Sequence, residues 1–292
     1  MRDVRCGVER RRLGRTEHES SVAILGGAAF WATSSPEEAR PSFELALDAG
    51  VNHLDIAPQY GNAERVVGPL VPEVRDRLFV AGKTLRSNPE GVEAQFDETR
   101  RLLGCEVLDL YQAHGVTDLD VLEARADAID RIVALRDRGA TRFAGITGHD
   151  LTAPSTFSEA LRRWDLDTVM FPVYPRLWAD VDYRWAAEEL LVLSDERDLG
   201  VMAIKAVARQ PWMEGQDRFA TTWYEPHRDP GSIARGVHFA LSTPGVHSFC
   251  TPGDLTLLPL ALDAAERFTA MDEGTRTAAV EEMAGLAPLQ TP

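Results

Sequence analysis

Four side chains of this 292-residue chain, Asp55, Tyr60, Lys83 and His114, are of types that together suit one piece of proton-transfer chemistry. A free tyrosine holds its proton up to a pH of about 10 and is a poor donor at neutrality. A nearby ammonium favours the tyrosinate and draws that value toward the working range. Lys83 could supply the ammonium, and Asp55 the carboxylate that holds it in place. A neutral imidazole from His114 could orient a carbonyl oxygen beside the phenol. Such a set protonates a carbonyl while hydride arrives at its carbon. No side chain supplies hydride, so a nicotinamide cofactor is implied.

Each residue alone has a plainer reading. An aspartate at a strand end often caps a helix, a loop tyrosine often packs, and a lone histidine is more often structural than catalytic. Composition weighs against coincidence. Of 31 basic residues only Lys83 and Lys205 are lysines, the rest being arginine. A lysine that survives such avoidance is a candidate for a task arginine cannot do, since arginine's broad guanidinium fits and titrates differently.

These residues must be held by regular elements. Short apolar runs alternate with longer amphipathic stretches: Val22 to Gly26, Asn52 to Ile56, Leu78 to Gly82, Val107 to Ala113, Phe143 to Thr147, Thr168 to Val173, Val201 to Ala206 and Val246 to Cys250. Most are continuously apolar, as expected of parallel strands buried on both faces. Helix signals fill the gaps. Ser35-Pro36-Glu37-Glu38 reads as an N-cap with a capping-box glutamate, and Asn88-Pro89 opens a second helix in the same way. Gly50, Gly104, Gly139 and Gly200 precede strands and suit helix stops. Eight strands with intervening helices predict an α/β fold, a (β/α)8 TIM barrel spanning 1–292 as a single domain. A doubly wound sheet would need a GxGxxG after the first strand, and none is there. The hairpin-like segment from Val8 to Arg15 is expected to plug the barrel floor. In such a barrel the strand ends carrying Asp55, Lys83 and His114 converge at one mouth.

Acidic residues outnumber basic ones by 46 to 31, for a net charge of −15, which disfavours a nucleic-acid partner. No apolar run reaches the ~18 residues of a membrane span. Three scattered cysteines, Cys6, Cys105 and Cys250, make no metal knuckle or disulfide framework, and the N-terminus lacks an apolar signal core; the expected location is cytoplasmic.

The motifs RRLGRT, GVNHLDIAPQYGNAERVVG, FVAGKT and LDLYQAHG resemble the aldo-keto reductase family, over about residues 9 to 270. The most specific element is the Asp-x4-Tyr spacing of LDIAPQYG, with Glu64 and Gly68 downstream. The resemblance implies a catalytic tetrad of Asp55, Tyr60, Lys83 and His114. It also implies carbonyl reduction with NADP(H), NAD(H) not excluded, bound at the barrel mouth. By the same resemblance Thr147, His149, Met170, Lys205 and Gly253 fall at cofactor positions. Thr147-Gly148-His149 replaces the usual Ser-Asn that holds the nicotinamide carboxamide. Met170 replaces a glutamine, and Ile204 a stacking aromatic. Lys205 could meet the pyrophosphate. The family's phosphate-binding arginine falls near Leu255, with Arg267 further along.

Loop aromatics would select a small carbonyl substrate, with Trp31, Trp178 and Trp223 as pocket candidates, joined by Phe30, Trp212 and Tyr224. The segment from Val207 to about Pro230 is expected to be mobile. Two other readings stay open: a cofactor-binding sensor or regulatory protein with little turnover, and a non-redox lyase or epimerase that reuses the Tyr–Lys pair.

Overall fold

The structure, a computed structural model, describes residues 7–289; Cys6 and the start of the basic N-terminal stretch lie outside the described residues. Two short strands, β1 (Arg10–Arg12) and β2 (Glu19–Ser21), pair antiparallel. Parallel strands follow: β3 (Ala23–Gly26), β4 (His53–Asp55), β5 (Phe79–Thr84), β6 (Leu108–His114), β7 (Thr141–Thr147), β8 (Thr168–Pro172) and β9 (Gly200–Ile204). An antiparallel pair, β10 (Ala208–Pro211) and β11 (Tyr224–Pro226), rises from the long loop. Then β12 (Ser248–Cys250) pairs with both β9 and β3 and closes an eight-stranded barrel. Every apolar run read as a strand carries a barrel strand. The β10–β11 pair was not legible, because it is short, ends in proline and depends on Glu225 accepting from Arg209 and Gln210.

Helices wrap the outside: α1 (Pro36–Asp48), α2 (Ala63–Val67), α3 (Pro89–Leu103), α4 (Leu119–Ala124), α5 (Ala126–Asp137), α6 (Ala153–Arg163), α7 (Pro175–Trp178), α8 (Val181–Glu196), α9 (Pro230–Leu241), α10 (Leu258–Glu266) and α11 (Glu273–Met283). The Ser35 side chain accepts from the Glu38 amide at 3.3 Å, and the Glu38 carboxylate reaches back to the Ser34 amide at 2.8 Å. Asn88 caps α3 at 2.7 Å. Such caps satisfy donors that a helix start otherwise leaves bare. Among the described residues no helix is long and apolar enough to cross a membrane.

Two cores result. Outward strand residues pack under the helices, while a smaller inner cluster fills the barrel with Ile24, Phe79, Leu110, Met170 and Met202. The plug expected of the first hairpin is Leu13, fully buried in this inner cluster. Gly200 is there to admit it: a Cβ at Gly200 would come 2.7 Å from the Leu13 Cγ. This corrects one sequence expectation. Gly50, Gly104 and Gly139 have positive φ, but Gly200 does not, and Asp198 takes the left-handed turn instead.

Candidate active site

Parallel register sets the mouth. Asp55 pairs with Ala81 across β4 and β5, Lys83 with Gln112 across β5 and β6, and His114 with Thr147 across β6 and β7. Alternation along a strand then turns Lys83 and Gln112 to the same interior. Lys83 Nζ donates to the Asp55 carboxylate and, at 3.0 Å, to the Tyr60 hydroxyl. Asp55 and Lys83 are buried, at 1% and 2% exposure. A second donor, Gln112 Nε2, lies 3.4 Å from Asp55 Oδ1, and the Cys250 thiol lies 3.9 Å from Oδ2.

Tyr60 comes from the loop after β4, where a tight turn is pinned by Tyr60 N to Ala57 O at 3.0 Å and Asn62 N to Trp31 O at 3.1 Å. Its ring meets that of His114 edge-on, with centroids 5.7 Å apart. His114 Nδ1 lies 3.2 Å from Gln59 Oε1, and Arg125 donates to the His114 carbonyl.

Electrostatics follow from burial first. Burial pushes the Tyr60 hydroxyl up to about 12, against the pull of the Lys83 charge. The expectation that the lysine brings tyrosine toward neutrality is therefore not met here; desolvation outweighs the ammonium. Burial also raises the Asp55 carboxyl, with Lys83 opposing, and burial resists the Lys83 ammonium, yet Asp55 and Tyr60 lift it above the usual lysine value. His114 is held far below the usual histidine range by burial, then by Lys83 and Arg125, so its imidazole is neutral.

A cavity of about 430 Å³ opens at this mouth, lined by Asp55, Tyr60 and Lys83 on one side and by Thr147, His149 and Lys205 on another. Met170 and Ile204 add apolar lining, and Gly253 also borders the cavity. Lys205 Nζ donates to the His149 carbonyl at 3.0 Å and stands 4.4 Å from the Trp223 ring centroid. Burial brings its ammonium down to about 7, against the Asp150 charge. The His149 Nδ1 is buried without a hydrogen-bond partner in the structure.

Of the aromatics, Trp31 and Trp223 line the cavity, as does Tyr224. Trp178 does not: it is buried in the outer core against Tyr183 and Phe239, which corrects its assignment to the pocket. Phe30 is likewise fully buried, and Trp212 meets Phe219 edge-on. Leu255 packs on the outer core, while Arg267 pairs with Asp263 at 2.8 Å on the surface. The long loop instead brings Arg218 to the cavity, which no sequence signal marked. Gln112 was findable, since it lies two residues before His114 on one strand and so shares its face.

A family model described as the Aldo/keto reductase family matches residues 23–274. Among curated proteins, an uncharacterized oxidoreductase of Bacillus subtilis (strain 168), YqkF, is 24% identical over 69% of this chain and 66% of its own length. The L-glyceraldehyde 3-phosphate reductase of Escherichia coli (strain K12) is 27% identical over 52% of this chain and 49% of its own. The chain thus spans between about half and two thirds of the length of these relatives. Among solved structures, the holo form of an aldo-keto reductase from Bacillus halodurans matches with a TM-score of 0.72 at 18% identity, covering 96% of this chain and 98% of that one. At that identity the likeness speaks for the fold.

Proposed function

Because the chain belongs to the aldo/keto reductase family, we propose that it reduces an aldehyde or ketone with NADP(H) or NAD(H) at the barrel mouth. The observation that carries the reading is the Lys83 ammonium bonded at once to the Asp55 carboxylate and the Tyr60 hydroxyl. When bound, the dinucleotide supplies a hydride to the carbonyl carbon. Tyr60 gives its proton to the carbonyl oxygen, and Lys83 stabilises the tyrosinate left behind. Asp55 keeps that ammonium aimed and balances its charge in a buried place. Neutral His114 orients the carbonyl beside the phenol without competing for the proton.

The wall of the cavity suits a dinucleotide. Arg218 brings positive charge to a chain of net −15, where a diphosphate needs it, and such an anion would draw a proton onto Lys205 beside it. His149 Nδ1 is a buried polar atom that an amide could satisfy, which offsets the loss of the usual asparagine. Thr147 adds a hydroxyl, Met170 and Ile204 an apolar surface for a flat ring, and Gly253 backbone without a side chain. Trp31 and Trp223 would face the substrate, a small carbonyl compound.

The test is a titration with NADPH and NADH, followed by tryptophan fluorescence, and then addition of aromatic and aliphatic aldehydes. Binding followed by nucleotide oxidation supports the reading. Binding without oxidation by any of the aldehydes would favour a sensor, and absence of binding a non-redox lyase or epimerase.

A further inference from the structure

We infer that Lys205 is a nucleophilic amine that condenses with an aldehyde to form an imine, a carbonyl chemistry separate from reduction. Lys205 directly follows β9 and has a φ of +66°, a left-handed conformation that non-glycine residues seldom adopt and that clusters at functional sites. Its side chain is buried yet opens on the cavity that Tyr60 also faces. The amine has a neutral carbonyl and an indole face around it, from His149 and Trp223. Burial disfavours the ammonium more than this acceptor, this ring and the Asp150 charge favour it, and with Lys205 brought down to about 7 a large share is free amine near neutral pH. Lys83 differs in kind, because Asp55 keeps it protonated.

The sequence points the same way. This chain uses arginine for nearly all its positive charge, and arginine binds phosphate well. What arginine cannot do is give up its proton and attack a carbonyl.

The step needs no oxidant or reductant. The Nζ lone pair adds to the carbonyl carbon, the C=O π pair moves to oxygen, and a proton passes from nitrogen to that oxygen. The carbinolamine then loses water as the C=N bond forms. Tyr60, which keeps its proton, faces the same cavity as a donor to the departing hydroxide. Since the same amine is proposed to meet the diphosphate, imine and dinucleotide exclude one another.

The experiment uses the full chain without nucleotide, incubated near pH 7 with benzaldehyde and sodium cyanoborohydride, which reduces an imine to a stable secondary amine. Mass spectrometry is expected to find one adduct, the aldehyde mass less one oxygen, on the peptide carrying Lys205. It should form at least about tenfold faster than on free N-acetyl-lysine, as a desolvated amine requires, with Lys83 unlabelled. Lys205→Arg should lose the adduct, and NADP⁺ should slow it in the wild type. Mapping the wild-type protein makes the result independent of how any variant folds. No adduct on Lys205, or one no faster than on N-acetyl-lysine, overturns the inference. An adduct that NADP⁺ leaves unslowed overturns the shared site. Labelling without any NADPH oxidation in the separate assay would sink the reductase reading and leave this one standing.

Discussion

The Nζ of Lys83 lies 3.0 Å from the Tyr60 hydroxyl, yet that hydroxyl stays protonated because burial pushes it up to about 12. The pair is therefore a loaded donor: the proton is present at neutral pH, and the positive charge waits for the tyrosinate that forms when it leaves. Replacing Tyr60 with Phe removes the donor and keeps the ring. Carbonyl reduction should fall by ~10²- to 10⁴-fold, the usual share of a positioned acid. Nucleotide affinity, read by tryptophan fluorescence, should be unchanged. Persisting reduction would move the acid role elsewhere.

Gly61 fixes where that phenol points. Its φ is +56°, and an added Cβ would come 2.5 Å from the Trp31 carbonyl oxygen. Gly61→Ala must therefore strain the backbone by ~1–2 kcal/mol and push apart two loops of the mouth. Activity should fall more than stability, since Tyr60 is the adjacent residue. A thermal melt lowered by a few degrees together with a much larger drop in kcat is the expected pair of results. An unchanged kcat would show that the turn does not aim the tyrosine.

How much of this was legible follows from what each feature depends on. The barrel strands were readable because burial on both faces demands unbroken apolar runs. Three of the residues at the mouth were readable because strand ends face one way in such a barrel, so chain position alone brings Asp55, Lys83 and His114 together, and the Asp-x4-Tyr spacing carried Tyr60 with them. Trp178 misled because it follows a strand end as the pocket residues do, while α7 turns its ring into the outer core. Arg218 was invisible because a loop has no period to mark its inward face. The direction in which the Tyr60 acidity moves was misjudged for a related reason: sequence shows which charges are near, but the cost of burial appears only when the cavity wall is built.

The floor plug gives a test of the scaffold apart from the site. Leu13 is fully buried inside the barrel, seated on Gly200 and away from the mouth. Leu13→Ala should cost ~2–5 kcal/mol in urea unfolding, as large-to-small changes do in a packed core. Arg15, bonded to Asp167 at 2.9 Å, keeps the hairpin docked, so the loss should appear as lower stability with near-normal activity in the folded fraction.

Glu64 predicts a pH dependence of stability. Its carboxyl is buried, accepts from the Thr99 hydroxyl at 2.7 Å, and is raised by burial to about 7 from its ordinary value of 4.5. In the folded chain it thus binds a proton more tightly than in the unfolded chain. The stability from that proton is full below about pH 4.5 and is lost as pH rises through 7. A shift of this size corresponds to roughly 3 kcal/mol. Glu64→Gln keeps a carbonyl acceptor for Thr99 and never ionises. Denaturant unfolding of the variant and the wild type at pH 5 and at pH 8.5 should show the variant's relative stability rising by up to that amount, with the gap opening between the two values. Parallel curves at both pH values would mean that Glu64 ionises in the folded chain as easily as in water, and that its partner at Thr99, rather than burial, governs it.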